Sequence, residues 1–185
     1  MIRGAGSWTG IEWRKGHPDY HVEDTMVERL ERYHMKMSLL LLGTPGWAVA
    51  KEWKPLMPEK KYWPMPDLDA WQKYVRTLAS RWGDRLYSLE VWNEPDLYMF
   101  ANFPENEYVR MLETAYDELK RVAPAWQVLC GGFACLPGQS GKAGNPAVMP
   151  AVIRSGKYDI FAFHGHGLFG GYRNQIERLP SYGNR

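Results

Sequence analysis

One acidic side chain stands where a strand of the predicted sheet ends. Residues 85–92 (RLYSLEVW) form a short, largely apolar run, and Asn93-Glu94-Pro95 closes it. In an α/β fold, a carboxylate at the carboxyl end of a parallel strand points to the side of the sheet where catalytic sites form. Glu94 is therefore the first candidate for acid–base chemistry. The alternative is a carboxylate on a surface loop that caps the following helix.

A second carboxylate, Glu90, lies four residues before Glu94. The two-residue period of a strand predicts that both side chains share one face. A buried carboxylate needs a cationic partner, and we expect Arg3 to be that partner, in a structural rather than a catalytic pair. The alternative for Arg3 is an ordinary solvated arginine near the end of the chain.

Two histidines, His164 and His166, follow the last apolar run, residues 159–163 (DIFAF). A His-x-His pair could supply two metal ligands, but the sequence offers no matching cluster of Asp, Cys or a third His. We therefore predict no metal site. The two cysteines, Cys130 and Cys135, are expected to be small buried residues, and nothing in the sequence implies a cofactor.

Short apolar runs alternate with amphipathic helices along the chain. The predicted strands are residues 37–42, 85–92, 127–130 and 159–163, preceded by the end of a strand at 2–5. The predicted helices are residues 24–35, 67–82, 104–122 and 146–155. This order implies right-handed crossovers and a parallel sheet, so the predicted class is α/β.

The connection over residues 43–66 is unusually long and aromatic. It carries five prolines and the candidate ligand-stacking residues Trp47, Trp53, Tyr62 and Trp63. Long loops in compact domains are usually functional or disordered, and aromatic rings could stack on sugar faces. Packing is the commoner role of any single aromatic residue. Trp47, the nearest to its strand, is the strongest candidate.

These pieces resemble those of one group of enzymes. The stretch EVWNEPD is similar to the fourth-strand motif of clan A glycoside hydrolases. The stretches GTPGWA, PDLDAWQKYVRTLASRWGDRL and FAFHGHG resemble segments of family 39 and its neighbours in that clan. The resemblance implies a (β/α)8 TIM barrel of which this chain carries only about strands 2 to 6. Residues 1–185 would form one partial catalytic domain that lacks strand 1 and strands 7 and 8, since complete barrels have about 250 residues.

The resemblance also implies roles for individual residues. Glu94 would be the general acid/base of a retaining O-glycoside hydrolase acting on a β-linked carbohydrate, and Asn93 would hydrogen-bond the sugar 2-hydroxyl. The substrate-binding positions would be Arg3, Trp47, Asn93, His164 and His166. At the last of these, many members of the clan have an aromatic residue, often Tyr. A histidine there could replace it as a donor or mark a weakened site.

The nucleophile of such an enzyme would be a Glu at the tip of the seventh strand, which we expect this chain to lack. The acidic residue left near the end is Glu177, in a helical context. Three hypotheses follow. The chain is an inactive fragment of a hydrolase, a non-catalytic carbohydrate-binding pseudoenzyme, or part of an enzyme that a second chain or a missing segment completes.

The overall composition limits the partners. The formal net charge is +2, from 23 basic and 21 acidic residues, which gives no reason to expect nucleic acid or an acidic membrane surface. No apolar run reaches the roughly 18 residues of a membrane span. No signal peptide is visible, and the compartment stays undecided. The expected partner is an oligosaccharide or glycoside substrate.

Overall fold

The computed structural model describes residues 1–54, 64–135 and 143–164, together with residues 173, 176 and 177. The strands are β1 (Ile2–Ser7), β2 (Met37–Leu42), β3 (Ser88–Asn93) and β4 (Gln127–Gly132). The helices are α1 (Trp8–Ile11), α2 (His21–Arg32), α3 (Leu68–Trp82), α4 (Glu105–Val122) and α5 (Val148–Ser155). The four strands form one parallel sheet in the order β1-β2-β3-β4. The predicted α/β class is confirmed.

A further segment runs parallel beside β4 without forming a regular strand. Single bridges join Leu129 to Ile160 and Phe133 to Phe163. At its start, the Asp159 carboxylate accepts the backbone N–H of Val128 at 2.7 Å. In a regular parallel ladder the N–H of Val128 would donate to a backbone carbonyl, whereas here it donates to the side chain of Asp159. The strand predicted over residues 159–163 is present in position but irregular.

Local backbone chemistry explains where the helices differ from prediction. Helix α3 starts where predicted, because the Asp67 carboxylate accepts the N–H of Ala70 at 2.9 Å as an N-cap. After α3 the chain continues as a 3₁₀ turn, Gly83–Arg85, so β3 begins later than the apolar run suggested. Helix α2 starts three residues before the predicted position 24 and ends at Arg32. Two residues later, His34 has a φ of +52°, which no helix continues.

More than half of the nine tryptophans belong to the buried core. Trp8, Trp71, Trp82, Trp92 and Trp126 are all buried. The indole N–H of Trp71 donates to the carbonyl of Met111 at 3.0 Å, and that of Trp126 donates to Gly83. Buried indoles need such acceptors. The high tryptophan content therefore reports largely on the packing of helices against the sheet.

A buried carboxylate on α4, that of Glu118, holds a cluster of polar and charged side chains from α3 and α4. Glu118 is 1% exposed and accepts hydrogen bonds from Arg76 at 2.5 Å, Arg121 at 2.5 Å and Gln72 at 3.0 Å. The hydrogen bonds from Arg76 and Arg121 lower the pKa of Glu118 from 4.5 to about 2. The fold thus stabilises the ionised form of this side chain.

We expect the contribution of Glu118 to stability to depend on pH. A carboxyl with a lowered folded-state pKa stabilises the fold fully above its unfolded pKa of 4.5 and loses that contribution as pH falls toward 2. Glu118→Gln should therefore lower the free energy of unfolding by about 1–2 kcal/mol at pH 7, because the two arginines that hold Glu118 are half exposed and solvent weakens their effect. The loss should be smaller at pH 3, as measured by urea denaturation.

A control on the same helix is Asp117→Asn, which removes an exposed ion pair with Lys157. It should cost less than about 1 kcal/mol at either pH. An equal loss for Glu118→Gln at pH 7 and pH 3 would contradict the assigned ion cluster.

Candidate active site

The end of β3 is strongly bent. Trp92 has a φ of +74° and Glu94 a φ of +44°, both in the left-handed region that non-glycine residues rarely adopt. Such conformations cost about 1–3 kcal/mol each and cluster at functional sites. The Glu94 N–H donates to the carbonyl of Gly132 at 3.1 Å, which fixes the bend against β4. The bend carries the Glu94 side chain to the carboxyl end of the sheet.

The Glu94 carboxylate contacts a histidine that lies 70 residues later in the chain. Its Oε1 atom is 2.7 Å from Nδ1 of His164, and Glu94 is only 9% exposed. The His164 backbone is fixed by an N–H bond to the carbonyl of Phe133 at 2.8 Å. The structure therefore brings two of the residues singled out in the sequence into direct contact.

The predicted ion pair between Arg3 and Glu90 is confirmed. Arg3 Nε lies 2.6 Å from Glu90 Oε2, and Nη2 lies 3.0 Å from Oε1. The same Nη2 donates to Oδ1 of Asn93 at 2.9 Å. Because the amide oxygen of Asn93 faces Arg3, its NH2 group points away from the guanidinium and remains a donor.

Strand alternation does not hold through the end of β3. It would place Asn93 on the opposite face from Glu90, yet both side chains reach Arg3. Trp92, between them, has the positive φ that breaks the period of two. Gly132 links Glu90 and Glu94, because its carbonyl accepts the backbone N–H of Glu94 and its own N–H donates to the Glu90 carboxylate. The sequence carries no local signal for this bend.

Asp96 is a site-building residue that the sequence analysis missed. It is 3% exposed, and its two oxygens accept the N–H groups of Ala134 at 3.0 Å and Cys135 at 2.9 Å. Burial raises the pKa of Asp96, the two N–H bonds oppose the increase, and the nearby charge of Glu94 adds to it. Asp96 ties the loop after β4 to the end of β3. An Asp directly after a Pro, as in Pro95-Asp96, is a common turn signal and could have indicated this role.

The two cysteines are free thiols. Cys130 is buried, as predicted, and burial raises its pKa to about 12. The prediction is wrong for Cys135, which is only partly buried. Partial burial and the nearby charges of Asp96 and Glu94 raise the pKa of this thiol. Both thiols are therefore held in the protonated form at neutral pH.

Trp47 lies in a cavity on the β1 side of the sheet. Its indole N–H donates to the carbonyl of Glu12 at 2.8 Å, and its ring meets Trp8 edge-on at 5.6 Å between centroids. The cavity has a volume of 480 Å³, and its walls include Lys15, Tyr20 and the first turns of α3. Neither Glu94 nor His164 is among its described lining residues.

The other sequence candidates divide into two groups. Trp53 packs edge-on against Phe103 at 6.1 Å between ring centroids. Tyr62, Trp63 and His166 lie outside the described residues. Within the described ranges, no group of three or more His, Cys, Asp or Glu side chains could hold a metal ion. No helix in that part of the chain is long and apolar enough to cross a membrane.

Solved structures match this chain over most of its length. A family 39 glycoside hydrolase from the gut symbiont Bacteroides cellulosilyticus WH2 aligns with 88% of the chain at a TM-score of 0.61 and 19% identity. A glucosidase from Croceicoccus marinus aligns with 93% at 0.67 and 15% identity. The xylanase XynB from Paenibacillus barcinonensis aligns with 97% at 0.66 and 14% identity. The fold is part of a (β/α)8 barrel.

The partial barrel spans 32%, 36% and 59% of these three structures. The predicted fold class, a barrel represented in part, is confirmed. No protein-family model and no curated protein sequence matches the chain. In a barrel of this type, the carboxyl ends of the strands form the catalytic face. The contact between Glu94 and His164 lies at that face of the partial barrel.

We expect the Arg3–Glu90 pair to dominate the stability of the site. Arg3→Met would leave Glu90, which is 3% exposed, without its cation. This change should lower the free energy of unfolding by about 2–4 kcal/mol in urea denaturation, because a buried charge without a partner is costly. Adding Glu90→Gln to Arg3→Met should recover part of the loss.

The matched control is Arg85→Met, which removes an exposed pair with Glu31 and should cost less than about 1 kcal/mol. If Arg3→Met costs no more than Arg85→Met, the Arg3–Glu90 pair does not have the importance assigned to it.

Proposed function

We propose that this chain is the part of a retaining O-glycoside hydrolase that carries the general acid/base, Glu94, and that the enzyme hydrolyses a β-linked carbohydrate. The observation that carries the proposal is the 2.7 Å contact between Glu94 and His164 at the carboxyl ends of the strands. The fold supports it, because the similar solved structures are glycoside hydrolases.

The environment of Glu94 suits proton exchange with a bound sugar. A general acid must be within reach of the oxygen it protonates and shielded from bulk water. Glu94 is largely buried, and an imidazole lies against its carboxylate. In a retaining mechanism Glu94 would first protonate the glycosidic oxygen of the leaving group. It would then remove a proton from the water that hydrolyses the covalent intermediate.

Asn93 and Arg3 would help to position the substrate next to Glu94. The amide oxygen of Asn93 accepts a hydrogen bond from Arg3, which leaves its NH2 group to donate to the sugar 2-hydroxyl. That contact strengthens in the transition state of glycoside hydrolysis. Arg3 is itself held by Glu90, so the amide is aimed before substrate arrives. His164 would both orient Glu94 and line the sugar site.

The nucleophile is proposed to come from a strand outside the described residues. A retaining enzyme needs a second carboxylate about 5–5.5 Å from the acid/base. The two other buried acids near Glu94 have different roles, because Glu90 is paired with Arg3 and Asp96 accepts two backbone N–H groups. Further polypeptide, in the same chain or a second one, would supply the remaining strands and this carboxylate.

The same observation favours a second candidate function. If no further strand supplies a nucleophile, the chain would bind carbohydrate without hydrolysing it. Asn93, His164 and the residues around them would then serve recognition alone. Neither function needs a metal or a cofactor.

The test is turnover of aryl β-glycosides by the 185-residue chain and by the chain together with the segment that completes the barrel. We expect turnover only from the completed barrel. In it, Glu94→Gln should lower kcat/KM about 10²–10⁴-fold for substrates with poor leaving groups. The loss should be smaller for dinitrophenyl glycosides, because a good leaving group needs little protonation.

Glu31→Gln, on the outer helix α2, is the control and should leave kcat/KM unchanged. Unchanged turnover in Glu94→Gln would exclude the acid/base assignment. Saturable binding of oligosaccharide to the completed barrel, followed by tryptophan fluorescence, without turnover would favour the non-catalytic alternative.

A further inference from the structure

Gly132, the last residue of β4, makes contact with three parts of the site at once. Its N–H donates to Oε1 of Glu90 at 2.9 Å. Its carbonyl accepts the N–H of Glu94 at 3.1 Å, at the bend where Glu94 has its positive φ. The imidazole of His164 occupies the space that a Cβ atom of this residue would need. One residue without a side chain therefore contacts the carboxylate of Glu90, the backbone of Glu94 and the ring of His164.

The space above Gly132 is occupied by His164. A Cβ atom at this position would lie 2.6 Å from Cδ2 of the imidazole, closer still to Nε2, and 3.0 Å from Oε1 of Glu90. In folded proteins a Cβ atom essentially never lies within 3.0 Å of a non-bonded heavy atom. The backbone of Gly132 is not in the left-handed region, whereas that of Gly83 is. Glycine is thus needed at 132 for space and not for its conformational freedom.

We propose that Gly132 is a positioning residue for the acid/base. By having no side chain, it lets the His164 ring lie with its Nε2–Cδ2 edge over the end of β4 and its Nδ1 on Glu94. Any side chain at position 132 would force the ring to turn. The His164 backbone is held by Phe133, so the turn must occur about the side-chain torsions. That movement would break the contact with Glu94. The catalytic meaning of this role rests on the proposed function.

Two other glycines provide comparisons. A Cβ at the neighbouring Gly131 would meet backbone atoms, the carbonyl oxygens of Val91 at 2.8 Å and Trp92 at 2.9 Å. Gly131 is therefore required by the packing of β3 on β4. A Cβ at Gly46, in the loop after β2, would have no atom within 4 Å. Gly46→Ala is thus the matched control for the chemical change at Gly132.

The direct test uses the imidazole ¹⁵N resonances of the 185-residue chain. The chain has five histidines, and the His164 signals are assigned by their loss in His164→Gln. The contact with a carboxylate should give Nδ1 of His164 a hydrogen-bonded shift that Glu94→Ala abolishes. We expect Gly132→Ala to abolish it as well and Gly46→Ala to retain it. A folded Gly132→Ala chain that keeps the shift would overturn the proposal.

A double-mutant cycle tests the same point through stability. Gly132→Ala should lower the ratio of folded to unfolded chain about three- to tenfold when His164 is present, because the imidazole must turn away from Glu94. It should lower this ratio less than threefold in a His164→Ala background, because the imidazole that the Cβ would overlap is gone. If Gly132→Ala does not fold but the double variant does, the proposal is supported. Equal losses in both backgrounds, or failure of both variants to fold, would overturn it.

These measurements need no substrate, which separates them from the test of function. Absence of glycoside turnover in the completed barrel would exclude the proposed hydrolase function. It would not affect the proposal that Gly132 positions the ring of His164. A retained ¹⁵N shift in Gly132→Ala would exclude the positioning role and leave the assignment of Glu94 in place.

Discussion

A carboxylate removed from water must be given a partner, and Glu90 imposes this requirement on the whole end of the sheet. Glu90 lies on β3, between β2 and β4, and is 3% exposed. Arg3, from β1, and the N–H of Gly132, from β4, satisfy its two oxygens. One buried charge therefore fixes three of the four strands relative to one another. Arg3 also orients Asn93, so the same interaction prepares the residue next to Glu94.

Much of the fold could be predicted because its signals are local. Strand β2 agrees with its apolar run residue for residue, since a strand covered on both faces has a continuous apolar sequence. The pair of Arg3 and Glu90 followed from the cost of burying a charge. The fold class followed from the order of elements, and the resemblance added the barrel. In each case the deciding physics acts within one element or on one residue type.

The details that escaped prediction depend on tertiary contacts. The bend at Trp92 is held by its indole N–H, which donates to Phe100, and by its edge-on contact with Phe103. No pattern in RLYSLEVW indicates a positive φ at that residue. Both Glu94 and His164 could be singled out from sequence, but their contact needed the order of the strands. The role of Gly132 could not be predicted, because a glycine after a predicted strand is typical of an ordinary turn.

The strands follow one another across the sheet in the same order as along the chain. Each strand therefore pairs with the strand that comes before it in the chain, and the sheet can grow from one edge. The contacts of the site join parts that are farther apart. Arg3, on β1, reaches Glu90 only when β1, β2 and β3 are in register, and His164 reaches Glu94 only when β3, β4 and the segment after β4 are in register. A misaligned strand would break one contact or the other, so the two contacts together report on the register of all four strands.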